Sequence, residues 1–306
     1  MSSSGSTKAI LAALGANAGI AVAKFIGFLI TRSSSMLAEA VHSVADTSNQ
    51  VLLLWGQRRS RKEATELHQF GYGRSRYFYS FVVALVLFSL GAVFALYEGY
   101  HKIHDPHPLT SPAIAIGILV VAIGLEAFSF RTAMVESRPL KGHGSWWSFI
   151  RRSRNPELPV VLLEDTGALL GLIFALGGVG LTILTGNPVW DGIGTLLIGA
   201  LLAVIAVILM IEMHSLLIGE GATGDELGSI QAALEGTEHV DRVIHLRTQY
   251  LGPDEMLVGA KIALAATTDL STVASAIDKA EAAVRAAVPA AQIIYLEPDL
   301  DRSAKR

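Results

Sequence analysis

The sequence predicts an α-helical membrane protein: six transmembrane helices, then a small cytoplasmic α+β domain of order αββαβ. Three observations predict this. The 306 residues are 51% hydrophobic with a mean hydropathy of +0.47, too apolar for an ordinary soluble domain. Six apolar segments each approach the ~20 residues a helix needs to cross a bilayer. From about Gly219 the pattern changes to short amphipathic helices and alternating strands.

The six spans run Lys8 to Ile30, Ser35 to Trp55, Tyr77 to Tyr100, Pro112 to Phe130, Leu158 to Leu184 and Val189 to Leu217. The polar start MSSSGSTK lacks a small-residue cleavage site after its first apolar run, so that run reads as a span rather than a removable signal. The second span is weak by hydropathy because it carries Glu39, His42, Asp46, Asn49 and Gln50. Polar residues placed in hydrocarbon mark a functional span. In the tail, GDELGSIQAALEG reads as a helix, and VDRVIHLRTQYL and EMLVGAKIALAA as strands joined at LGPD. STVASAIDKAEAAVRAAV reads as a helix capped by Ser271, and AQIIYLEP as a last strand.

Basic residues set the orientation. Arg58, Arg59, Arg61, Lys62, Arg74 and Arg76 follow the second span, and Arg131, Arg138, Lys141, Arg151, Arg152 and Arg154 follow the fourth. The opposite loops carry only Arg32, Lys102 and no base in TGNP. Both termini are therefore expected in the cytoplasm, in a bacterial plasma membrane. Residues 1–218 form the expected transmembrane domain with the transport site, and 219–306 the cytoplasmic domain. The net charge of −3 gives no polycation for nucleic acid, and the absence of cysteine excludes disulfides and thiolate metal sites. A metal must be held by His, Asp, Glu or Asn.

His42 and Asp46 lie one helical turn apart on one face, a spacing that can chelate one divalent ion or glue helices through a hydrogen bond. Glu39 falls on a similar face. Asp165 in the fifth span is the expected third ligand. Its neighbour Glu164 points ~100° away and reads equally as a ligand, as an acceptor behind the ligands or as an arginine partner. Asn17 and Glu126 are candidate extra ligands or proton carriers. Lys24 reads as snorkelling or paired with an acid, and Glu98 and Asp191, at span ends, as solvated or capping. Among loop and tail residues, His68, His239 and His245 read first as exposed or structural.

SSSMLAEAVHSVADTSNQ, HQFGYGRSR, the acidic fifth span and a tail containing IHLRT and YLEPD together resemble the cation diffusion facilitator family over nearly the whole chain. LLEDTGALLG and TGNPVWDGIGTLLIG resemble its zinc-transporter-nine-like branch. The resemblance implies a homodimer that exchanges cytoplasmic zinc or a related divalent cation for protons across the lipid bilayer. It implies no cofactor beyond the transported ion. Carried over by position, His42, Asp46 and Asp165 match three of four ligands contributed by the second and fifth spans, and the fourth place falls on Val161. An acidic place of the FGYGR loop falls on Arg76. His245 and Glu297 match part of a cytoplasmic metal site whose further histidine falls on Tyr295. With His68 they form at most a weak site, which leaves dimerisation as the expected role of the tail.

Ligands must be deprotonated to bind metal, so protons and metal compete for the same atoms. One histidine with two or three carboxylates suits zinc and also manganese, iron or cobalt. An enzyme is not expected, because the chain has neither an HExxH pair nor a nucleophile elbow. A membrane metal sensor or scaffold without transport is the rival of a different class. The intramembrane acids favour a pathway over it.

Overall fold

The computed structural model describes residues 2–31, 34–108, 112–265 and 267–300. The chain forms two compact units, Met1–Arg59 with Arg76–His214, and Ser60–Ser75 with Ser215–Arg306.

The first unit is helical. Its helices are α1 (Ser2–Thr31), α2 (Ser34–Ser60), α3 (Ser75–Val86), α4 (Phe94–His104), α5 (Pro112–Lys141), α6 (Trp146–Arg152), α7 (Glu157–Thr185) and α8 (Val189–Ile218). A π-helical segment, Leu87–Val93, joins α3 to α4 as one rod. Among the described residues, four helices are long and apolar enough to cross a membrane: Ser75–His104, Pro112–Lys141, Glu157–Thr185 and Val189–Ile218. Among the described residues of α1, Asn17–Ile30 is a shorter apolar helical stretch. In α2 the expected span is a continuous helix, but its polar side chains keep it below the hydropathy of the others. The fourth expected span continues eleven residues past Phe130 to Lys141, with Pro139 in its last turn. The short α6 was not foreseen; Ser145 caps it by accepting from the Ser148 N–H.

The distribution of side chains is inverted relative to a water-soluble protein. Phe25, Val121, Phe128, Val204 and Ile211 are exposed, whereas Lys24, Glu126, Glu164 and Asp165 are buried. Hydrocarbon selects this arrangement, because apolar groups face lipid without penalty and polar groups must find partners inside. Where α7 meets α8, a Cβ built at Gly194 would lie 2.9 Å from the Phe174 carbonyl oxygen, and one at Gly178 2.9 Å from that of Trp190. Such small-residue contacts let membrane helices approach closely. Gly186 ends α7 in the left-handed conformation, φ 70°, with its N–H on the Thr182 carbonyl. Helix α5 packs on both α7 and α1.

In the second unit, α9 (Gly224–Glu235) and α10 (Leu270–Ala287) accompany β1 (Arg242–Gly252), β2 (Glu255–Leu264) and β3 (Ala291–Leu300). The order αββαβ is as the sequence predicts. The sheet order is β1-β2-β3, with β1 and β2 antiparallel and β2 and β3 parallel. Parallel pairing needs a crossover, which α10 supplies. Burial alternates along β2, so one face carries Val258 and Ile262 into a core with Ile230, Leu234, Ala280 and Val284. The 60–75 loop belongs to this unit. A Cβ at Gly73 would lie 2.7 Å from the Leu251 carbonyl oxygen, so glycine permits that backbone approach.

Thr223 and Glu226 form a reciprocal capping box at the start of α9. The cap of α10 is Asp269 rather than Ser271, because the Asp269 carboxylate accepts from both the Ser271 and Thr272 N–H groups. Hydrogen bonds from the Ser271 hydroxyl, then from Thr272, hold the Asp269 carboxyl well below its ordinary range. Its stabilisation is therefore complete above the unfolded value, ~3.9, and is lost as pH falls through the depressed folded value. Amide exchange at Ser271 and Thr272 in the full chain is expected to rise in Asp269→Ala at neutral pH. Native protection is expected to stay level down to pH ~4 and weaken only below it.

Candidate metal centre

Helix α2 places His42 and Asp46 one turn apart, and the imidazole Nε2 lies 3.4 Å from Asp46 Oδ2. Both side chains are about 2% exposed. The π-helical segment passes alongside: a Cβ built at Gly91 would sit 3.7 Å from His42 Nδ1 and 3.3 Å from Leu202. An alanine at position 91 would press on Leu202 and sit in ordinary contact with the imidazole. π-Helical bulges recur at functional sites because they reposition part of a helix without ending it. The Glu39 side chain lies outside the described residues.

Helix α7 places two carboxylates facing different neighbours, as a ~100° offset between successive residues requires. Glu164 faces α2, where Asn49 Nδ2 donates to its Oε1 at 2.6 Å and Gln50 Nε2 to its Oε2 at 3.4 Å. Gln50 Oε1 in turn accepts from Asn17 Nδ2 at 3.4 Å, so α1, α2 and α7 share one buried polar layer. Asp165 faces α5, where the Ser129 hydroxyl donates to its Oδ2 at 2.9 Å. Glu126 is fully buried on α5, one turn before Ser129. Lys24 of α1 donates to Ser43 Oγ at 2.9 Å. Asp46 lies in the electrostatic field of Glu164, Glu126, Lys24 and Asp165. The buried acids of the fourth and fifth expected spans thus act electrostatically on Asp46 of the second.

The expected ligands are not drawn into one coordination sphere. Among the described residues, no three His, Asp or Glu side chains are grouped closely enough to hold a metal ion. His42 and Asp46 are together, while Asp165 is engaged by Ser129. Glu164 is the acid that hydrogen-bonds to α2. Val161 is buried and offers no donor atom. Asp191, read from sequence as solvated or capping, is instead buried and lies 3.9 Å from Lys102 Nζ.

In the second unit, His68 is exposed on its loop with its ring 4.6 Å from that of Tyr72. His245 of β1 is exposed and pairs across the sheet with Lys261 of β2, which pairs with Glu297 of β3. The Lys261 ammonium lies 2.7 Å from Glu297 and 3.3 Å from Asp299. The hydrogen bonds that Lys261 donates, first to Glu297 and then to Asp299, raise the lysine pKa above its ordinary value. A fixed cation therefore occupies the carboxylate that a metal shared between His245 and Glu297 would need.

Sequence reading missed Ser129, Asn49 and Gln50 as the groups that hold the acids of α7, and Ser43 as the acceptor for Lys24. A signal existed for three of them. Ser129 is one turn from Glu126, and Asn49 and Gln50 are one turn from Asp46, so each extends an already polar helix face.

Residues 10–218 match the cation efflux transmembrane domain family. The chain belongs to the cation efflux family. Similar proteins include the mouse (Mus musculus) protein named proton-coupled zinc antiporter SLC30A9, mitochondrial, 31% identical over 260 residues, covering 84% of this chain and 46% of the relative. Metal tolerance protein C4 of Arabidopsis thaliana is 28% identical over 259 residues, covering 84% of this chain and 57% of its own length. Zinc transporter ZitB of Pectobacterium atrosepticum is 29% identical over 218 residues, covering 71% and 63%. The chain spans about half the length of the first curated relatives it matches. In this cation efflux chain, the matched region contains the entire buried layer of Asn17, Lys24, His42, Asp46, Glu126, Glu164 and Asp165.

Proposed function

We propose that the chain carries a divalent metal cation, zinc foremost, out of the cytoplasm in exchange for protons, through a site of His42, Asp46 and Asp165 between the second and fifth spans. The observation that carries this reading is the buried His42–Asp46 pair, with three further buried acids, Glu126, Glu164 and Asp165, whose fields reach Asp46. An intramembrane carboxylate costs ~2.5–3.5 kcal/mol on insertion scales, so four of them in one layer call for a cation. Relatives named as a proton-coupled zinc antiporter and a zinc transporter support the same reading.

Neutral imidazole and ionised carboxylates are what a metal requires, and protons remove both. With imidazole titrating near pH 6.5 when unperturbed, a proton gradient of physiological size can drive the exchange. Rocking of helix bundles around the site provides alternating access, and drawing Asp165 from Ser129 towards His42 and Asp46 completes the ligand set. Glu164, Glu126, Asn17 and Glu39 are the reserve ligands or proton carriers. In this reading α1 and α2 join the four apolar helices as spans, both termini are cytoplasmic at the plasma membrane, and the chain is a transporter rather than an enzyme. Residues 219–306 pair two copies as a homodimer. His68, His245 and Glu297 contribute no strong metal site, given Lys261 between the last two.

The oxygen-rich surroundings of His42 also suit manganese, iron or cobalt. Competitive uptake of zinc, manganese, iron and cobalt into proteoliposomes under a set pH gradient tests the assignment. Zinc is expected to be taken up fastest, with matching proton movement in the opposite direction. Uptake of none of the four ions would end the transport reading.

A further inference from the structure

Lys24 is a buried cation hydrogen-bonded to the polar face of α2 that carries His42 and Asp46. It lies well inside the apolar stretch of α1 and is fully buried. Its ammonium donates to Ser43 Oγ at 2.9 Å. Ser43 adjoins His42 and lies three residues before Asp46, so it shares a face of α2 with Asp46. Among the described residues, buried Arg76 faces Glu157 and buried Lys102 faces Asp191. Lys24 sits against the helix that carries His42 and Asp46, and its field reaches Asp46.

We propose that Lys24 is a tethered cation that competes with the transported divalent ion for the acids around Asp46, keeping the site weak enough to release its cargo. An ammonium on a flexible four-carbon stem is suited to this, because it moves between a hydroxyl and a carboxylate without a change of backbone. A carrier must bind its ion well enough to load and weakly enough to unload. Four buried acids and an imidazole without a counter-cation would hold a divalent ion too firmly. One fixed positive charge nearby lowers the attraction and shields the acids from one another when the ion has left. The ammonium thus acts on the ion through charge rather than as a ligand. The inference rests on the transport reading above.

The test is a zinc titration of the purified full chain by calorimetry, with initial uptake rates in proteoliposomes. Lys24→Gln is expected to bind zinc at least tenfold more tightly than the native protein and to show a lower maximal rate. Lys24→Arg, which keeps the charge, is expected to restore native affinity to within about threefold. A merely structural Lys24–Ser43 contact predicts weaker or unchanged binding in Lys24→Gln, and that result overturns the proposal. Should Lys24→Gln not fold, Lys24→Met has similar length without charge and is judged by the same criterion. Zinc binding by the native protein with no tightening in either neutral variant removes only the tethered-cation role. No zinc binding by the native protein removes the transport reading and this inference with it.

Discussion

Asp46→Ala and Asp165→Ala are each expected to lower zinc uptake into proteoliposomes by at least about a hundredfold, while the protein remains folded. Each substitution deletes an anionic ligand from a proposed set of three, and the loss of one charged contact to a dication is worth ~3 kcal/mol or more. Folding should survive for a reason specific to this setting. A buried carboxylate in hydrocarbon is a cost of ~2.5–3.5 kcal/mol, so alanine relieves it. In Asp165→Ala the Ser129 hydroxyl loses its acceptor, a penalty of ~1–3 kcal/mol that the relief offsets. Glu164→Ala is the informative comparison. It strips Asn49 and Gln50 of their acceptor, so it is expected to destabilise the α2–α7 contact and slow uptake less than Asp165→Ala. Native uptake in both Asp46→Ala and Asp165→Ala would place the pathway elsewhere. Loss in Glu164→Ala alone would make Glu164 the ligand from α7.

Glu157→Ala is expected to destabilise the protein by ~3–5 kcal/mol, the usual result of removing one partner from a buried ion pair. Arg76 meets Glu157 as a fork, with Nε 2.5 Å from Oε1 and Nη2 2.7 Å from Oε2. Both residues are buried. The Asn155 amide, oriented to donate to Glu157 Oε2 at 2.7 Å and accept from Arg76 Nη2 at 3.3 Å, completes the network. Alanine would leave a buried guanidinium with its strongest partner gone. The pair joins the first turn of α3 to the first turn of α7, and eight residues separate Glu157 from Asp165, ~12 Å of helix. It therefore anchors the helix that carries the acids. Thermal unfolding in detergent should show the loss, and Arg76→Met with Glu157→Ala should recover most of it, because an apolar pair has no buried charge to satisfy. A single variant as stable as the native protein would mean the pair is solvated.

Much of the fold was legible because its signals are local. The apolar runs, the αββαβ alternation and the His42–Asp46 spacing each depend on residues near one another in the chain. The small departures were local too. Asp269 rather than Ser271 caps α10 because the helix begins at Leu270, which places Ser271 inside the first turn and leaves Asp269 at the N-cap to accept the Ser271 and Thr272 N–H groups. The π-helical segment beside His42 was not legible, since SLGAV reads as ordinary apolar helix and only the close packing against Leu202 favours a small residue at Gly91.

By itself the sequence determined that charged residues enter the apolar helices, which helices they enter, and that Arg76 stands where its family resemblance implies an acid. Which acid faces which neighbour was decided only by the tertiary structure. Glu164 and Asp165 are adjacent in the chain, and nothing in a one-residue offset says which is directed to α2. Packing of α7 against α5 aims Asp165 at Ser129 and Glu164 at Asn49 and Gln50. The partner of Arg76 was equally unreadable. Glu157 is 81 residues away, and a buried guanidinium selects a carboxylate through distance and desolvation, neither of which is encoded at any single position.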